Sequence, residues 1–127
     1  MTAIEPGMTE FEIASILSSE TGKQGIIAIV NLVATDERIF KYRHPLPTEK
    51  QLERYIMLVL CGRKWCLVCS LTRLIHLGKI PVEIQNKLTS VAKIDTEFIK
   101  NTRPGKTIGE VFSMAREAYQ KEGYPDE

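Results

Sequence analysis

The sequence lacks a surplus of either charge, a long apolar run and a paired set of cysteines, and each absence removes a class of function. Its 17 basic and 16 acidic residues leave a formal charge of +1. That gives no electrostatic case for nucleic acid or an anionic membrane. The longest apolar stretch, Gly25-Ile26-Ile27-Ala28-Ile29-Val30, is far short of the roughly 20 residues that cross a bilayer. Met1-Thr2-Ala3-Ile4-Glu5-Pro6 has no basic segment leading into an apolar one, so no secretory signal is expected. Three cysteines are an odd number in a chain this rich in charge; a reducing cytoplasm suits them better than a disulfide scaffold. What is present is core material. Apolar residues are 43% of 127, enough for one compact domain and too many for a disordered polymer.

Pro6-Gly7-Met8 leads into Thr9-Glu10-Phe11-Glu12, a capping box in which Thr9 receives N–H groups and Glu12 reaches back, with Met8 and Ile13 as its hydrophobic staple. The helix is expected from Glu10 to Thr21, stopped by Gly22 as a left-handed cap. Gly25 to Val33 reads as a buried strand, because its apolar run is continuous and β-branched. Ile39 to Tyr42 reads as a second short strand, after which Pro45 and Pro47 force an extended or turning path. The clearest hairpin follows: Tyr55 to Cys61 and Cys66 to Leu71 are strand-like, with Gly62-Arg63-Lys64 as the turn. Pro81 suits the first turn of a long helix, whose apolar face collects Ile84, Leu88, Val91, Ala92, Phe98 and Ile99. Pro104-Gly105 ends it. A last helix starts at a second capping box, Thr107-Ile108-Gly109-Glu110, and ends near Gly123.

The two capped helices are alike. Pro6-Gly7-Met8-Thr9-Glu10-Phe11-Glu12-Ile13-Ala14-Ser15-Ile16 can be set beside Pro104-Gly105-Lys106-Thr107-Ile108-Gly109-Glu110-Val111-Phe112-Ser113-Met114. Any well-made helix start takes this form; an internal duplication explains it as well. Under duplication the first unit has its helix and strands, and the second has only its helix within these residues.

That plan resembles the creatinase/aminopeptidase ("pita-bread") metallopeptidases, in which two αβ halves enclose a metal site. Pro6-Gly7-Met8-Thr9-Glu10 resembles the family's Pro-Gly-x-Thr-Glu helix start. Arg43-His44-Pro45-Leu46-Pro47-Thr48 resembles its His-containing segment, and Ser70-Leu71-Thr72-Arg73 with Gly78 resembles Asp-x-Thr-Arg…Gly. Arg103-Pro104-Gly105-Lys106-Thr107 resembles the opening of the second half. The resemblance covers nearly the whole chain. It implies an α+β fold, half of a pita-bread, with a small, mainly antiparallel sheet of three to four strands and helices packed on one face. Residues 1–127 would then be a single incomplete domain: the first αβ half plus the opening helix of the second.

The same resemblance exposes a departure. Active members carry two aspartates eleven residues apart, one on each strand of the central hairpin; the matching positions here are Val59 and Ser70. A turn centred between Lys64 and Trp65 would set Val59 opposite Ser70, Cys61 opposite Val68 and Met57 opposite Thr72, all on one face. Valine offers no donor atom, and a neutral hydroxyl does not balance a divalent ion. The family's remaining ligands, one His and two Glu, belong to its second half. The expectation is therefore no metal, no other cofactor and no catalytic residue.

Other constellations are weaker. Cys61, Cys66 and Cys69 have iron–sulfur-like spacing, but no fourth cysteine exists, and opposite parity would point Cys66 and Cys69 to opposite faces. Ordinary buried or half-buried thiols are the simpler reading, and zinc held with His76 fails for the same reason. His76 reads as a strand-end residue packing on its neighbours. Arg73 should be satisfied by an acidic partner or by carbonyl groups. His44 takes a substrate-binding role only by resemblance; a loop histidine beside Pro45 is the plainer alternative. The chain is thus expected to be an inactive remnant or fragment that binds a peptide or partner chain, as a homodimer or with a complementary second half. Alternatives are part of a larger peptidase or amidohydrolase-like enzyme, and an unrelated α+β binding domain.

Overall fold

The computed structural model describes residues 4–126, which form two compact units divided after Lys79. The first contains α1 (Glu10–Gly22), β1 (Ile27–Thr35), α2 (Glu37–Lys41), β2 (Tyr55–Lys64) and β3 (Leu67–His76). Its strands form an antiparallel meander in the order β1-β2-β3, three strands of the expected three to four. The second contains α3 (Val82–Asn101) and α4 (Ile108–Lys121).

Helix α1 starts as its local chemistry dictates. The Thr9 hydroxyl accepts the Glu12 N–H at 3.2 Å, and the Glu12 carboxylate accepts the Thr9 N–H at 2.7 Å, so two orphan donors are satisfied reciprocally. Ile13 is fully buried and Met8 packs against the same core. The helix end differs from expectation: Gly22 is helical, and the left-handed residue is Gly25 at φ 70°. The Ile26 N–H reaches the Thr21 carbonyl and the Gly25 N–H reaches Gly22. These two bonds close a Schellman-type cap around Gly25.

One face of the sheet packs on α1. Val33 and Ile56 join Ile13 and Leu52 in the core, with Leu58 and Ile75 against them. The Asn31 amide donates to the Ala14 carbonyl and the Ser18 hydroxyl, both at 2.8 Å. Gly62 lies on this face, inside β2 and not in the turn expected at Gly62-Arg63-Lys64. A Cβ there would sit 2.8 Å from the Ile26 side chain. The actual turn is Trp65-Cys66, both left-handed at φ 49° and 66°, a two-residue loop of the primed kind that suits strand twist.

The segment expected as a second strand is helix α2 instead. Asp36, at φ 50°, turns the chain out of β1, and its carboxylate accepts the N–H groups of Glu53, Arg54 and Tyr55 at 2.9, 2.9 and 3.0 Å. With those long-range bonds holding Asp36, the following residues close helical bonds, Ile39 N–H to Asp36 and Tyr42 N–H to Arg38.

In the second unit, α3 follows Pro81 directly and α4 has its expected box, Thr107 with Glu110 at 3.2 and 2.8 Å. The residue α3 buries is Ile94, outside the set picked by periodicity. Leu88, Val91 and Ile99 from that set stay exposed.

Candidate functional site

The face of the sheet opposite α1 carries the positions where resemblance would place a metal pair. The register builds it in rows across β1, β2 and β3: Ala34, Met57 and Leu74; Leu32, Val59 and Thr72; Val30, Cys61 and Ser70. The expected pairing was shifted by two residues. Val59 is opposite Thr72, not Ser70; Ser70 is opposite Cys61; Met57 is opposite Leu74. The cause is the turn, which closes at Trp65-Cys66 and so lengthens both strands. A shift of two preserves parity, so Val59 and Ser70 still share a face, as diagonal neighbours.

The chemistry of this face is neutral. The Cys61 thiol and the Ser70 hydroxyl are 2.9 Å apart, and either can donate. The nearest imidazole on the same face, His76, is opposite Tyr55 at the far end of the ribbon, about 14 Å along the strand from Thr72 at the usual rise per residue. Among the described residues, no three His, Cys, Asp or Glu side chains come together as a ligand set. A valine, a threonine, a serine, a thiol and a thioether do not supply the anionic oxygens or imidazoles that hold a pair of divalent ions. The residues do not fit such a pair.

The three thiols are free. Cys61 is half-buried on the neutral face, Cys69 is opposite Gly62 on the other, and Cys66 is in the turn. Cys66 and Cys69 are exposed, where buried or half-buried thiols were expected, because β3 is exposed along most of its length. His76 packs its ring 5.6 Å from Tyr55, and its Nδ1 is buried without a hydrogen-bond partner. Burial pushes the Tyr55 hydroxyl up from its ordinary 10.0. Arg73 points to the helix-side face and donates to the Thr72 carbonyl at 2.9 Å.

His44 is exposed, in the loop between α2 and β2. Beneath that loop is a residue the sequence did not flag, Glu10. It is fully buried and accepts five hydrogen bonds, from Thr35, Arg38 and Thr48. A glutamate at the first helical position ordinarily reads as a solvated partner of the helix dipole. Its one distinguishing signal was its place as the last residue of Pro-Gly-x-Thr-Glu.

No described helix is long and apolar enough to cross a membrane. The family model for metallopeptidase family M24 matches residues 1–127. A peptidase from Staphylococcus epidermidis is 30% identical over 130 residues, covering 97% of this chain and 36% of that protein. The chain thus spans about a third of the length of the curated relatives it matches. Among solved structures, prolidase from Pyrococcus furiosus has a TM-score of 0.83 at 23% identity, covering 98% of this chain and 38% of that one. Dipeptidase PepE from Mycobacterium ulcerans has a TM-score of 0.85 at 17% identity, with 96% and 34% covered. Methionine aminopeptidase from Rickettsia prowazekii has a TM-score of 0.74 at 11% identity, with 93% and 51% covered. These likenesses identify the α+β architecture as part of the pita-bread fold.

Proposed function

The chain belongs to metallopeptidase family M24, and from that premise we propose that it is a catalytically inactive member whose role is to bind a peptide or a partner chain. One observation carries the reading: the diagonal pair Val59 and Ser70 on the neutral sheet face. In this proposal they stand where active relatives have their metal-bridging aspartates. Two-metal hydrolysis needs both ions, one for the nucleophile and one for the developing oxyanion. A face of Val59, Thr72, Cys61 and Ser70 offers neither ion a charged ligand.

The rest of the proposal follows the same premise. Residues 1–127 correspond to the first αβ half with the opening helix of the second. His44 is the residue we assign to ligand contact. Cover for the sheet comes from a second copy or from a complementary half. A reducing cytoplasm is the compartment this reading assigns, and three unpaired cysteines are compatible with it.

A second reading is favoured by the length comparison, since the relatives are nearly three times as long as the matched segment. In it this unit is one part of a larger assembly with altered hydrolytic chemistry. One assay separates the two: full-length protein with Mn(II) and Met-x or Xaa-Pro peptides. The first reading predicts no turnover above background and measurable peptide binding. Cleavage that EDTA abolishes would overturn it in favour of the second.

A further inference from the structure

The loop that carries His44 is tied on both sides to a carboxylate without solvent contact. Glu10 Oε1 accepts the Thr35 N–H at 2.8 Å, the Thr35 hydroxyl at 3.1 Å and Arg38 Nε at 3.1 Å. Its Oε2 accepts the Thr48 N–H at 2.9 Å and the Thr48 hydroxyl at 2.7 Å. Arg38 extends the connection. Its Nη2 donates to the Leu46 carbonyl at 2.9 Å, and its guanidinium lies 5.0 Å from the centre of the Tyr42 ring.

Tyr42, Leu46 and Thr48 bracket His44 in the chain. Pro45 and Pro47 have no N–H to give, so the loop builds no ladder of its own. Backbone bonds hold its two ends, Tyr42 N–H to Arg38 and Phe11 N–H to Thr48, and Pro45 is buried; between those ends the hydrogen bonds that fix it are the side-chain ties to Glu10 and Arg38. A buried carboxylate also needs a counter-charge, and among the described residues Arg38 is the cation in contact with it.

We propose that the Glu10–Arg38 pair positions the loop of residues 42–48 and thereby sets where His44 meets a ligand; Arg38 is a positioning residue. Its consequence for binding rests on His44 being the ligand contact, but the linkage between pair and loop does not. The planar guanidinium is what makes the device work. It presents one nitrogen to Glu10 and another to Leu46 at the same time, whereas a lysine ammonium keeps the charge without the fork. Arg38→Lys therefore retains the ion pair and releases the loop.

Nuclear magnetic resonance of the full chain, without ligand, reads this out. The protein has two histidines, and His76, packed on Tyr55 at the end of β3, is the internal reference. In R38K the His44 ring signals and the Arg43, His44 and Leu46 amide resonances shift, and the Thr48 amide, which donates to Glu10, exchanges about tenfold faster, a local opening. The His76 signals and the denaturation midpoint stay as in the wild type. Tyr42→Leu, which removes only the stacked ring, shifts the same His44 signals by less; where R38K fails to fold, this variant decides. Unchanged loop signals overturn the proposal, and so does a change that moves His76 and the midpoint together with His44, which would make the pair a plain determinant of the fold. Because no ligand is present, failure here is distinct from failure of His44 to bind a peptide.

Discussion

Glu10 and Gly62 show how much of this molecule is decided at single positions. Glu10 pairs with Arg38, whose side chain is 19% exposed, and is itself fully enclosed. Removing one partner of such a pair strands the other. Glu10→Ala is expected to lower unfolding free energy by about 3–5 kcal/mol, a large share of a typical domain's margin, read as a fall in the denaturation midpoint. Gly62 is fixed by contact and not by backbone freedom. Gly62→Ala presses a methyl into Ile26 and should cost about 1–3 kcal/mol, while Ile26→Ala in the same chain relieves the clash, so the double variant should lose less than the two single effects added. Full additivity in that cycle would rule out the contact. Neither residue announces itself in sequence. Glu10 meets Thr35 and Thr48 across long chain separations, and Gly62 looked like an ordinary turn glycine.

At the scale of elements, the local signals were legible and the long-range ones were not. Both capping boxes were readable because donor and acceptor are three residues apart. The hairpin's existence and the shared face of Val59 and Ser70 were readable from alternation. Its register was not, because Trp65 and Cys66 occupy left-handed conformations that usually go to Gly, Asn or Asp. Helix α2 is not legible in its own residues, because the bonds that turn the chain at Asp36 come from Glu53, Arg54 and Tyr55, 17 to 19 residues away. Replacing Trp65-Cys66 by Asn-Gly should stabilise the hairpin by about 1 kcal/mol, since two strained residues are relieved and one exposed lysine–indole contact is lost; a lower midpoint would contradict this. The caps set a pH dependence. Glu12 and Glu110 are held below the ordinary 4.5, chiefly by the backbone N–H groups of Thr9 and Thr107. A depressed carboxyl contributes stability that is complete above its unfolded value and lost as pH falls through its folded one. Acidification below 4.5 should thus weaken α1 and α4, followed by helical circular dichroism, and Glu12→Gln with Glu110→Gln should flatten that loss.

For the whole molecule, the issue is what a metallopeptidase family member does with a sheet face on which Val59, Thr72, Cys61 and Ser70 offer no carboxylate or imidazole. β3 is exposed along most of its length, with Leu67 at 76% and Val68 at 60%, and an uncovered apolar edge invites pairing. A stable dimer at micromolar concentration is the expected result of light scattering on the full chain; a clean monomer would count against self-association. The central claim concerns ions, and equilibrium dialysis against Mn(II) with elemental analysis reaches it most directly. The protein should retain well below one ion per chain, with or without peptide present. Two tightly held ions, displaced when Val59 or Ser70 is replaced by a bulky side chain, would contradict the account.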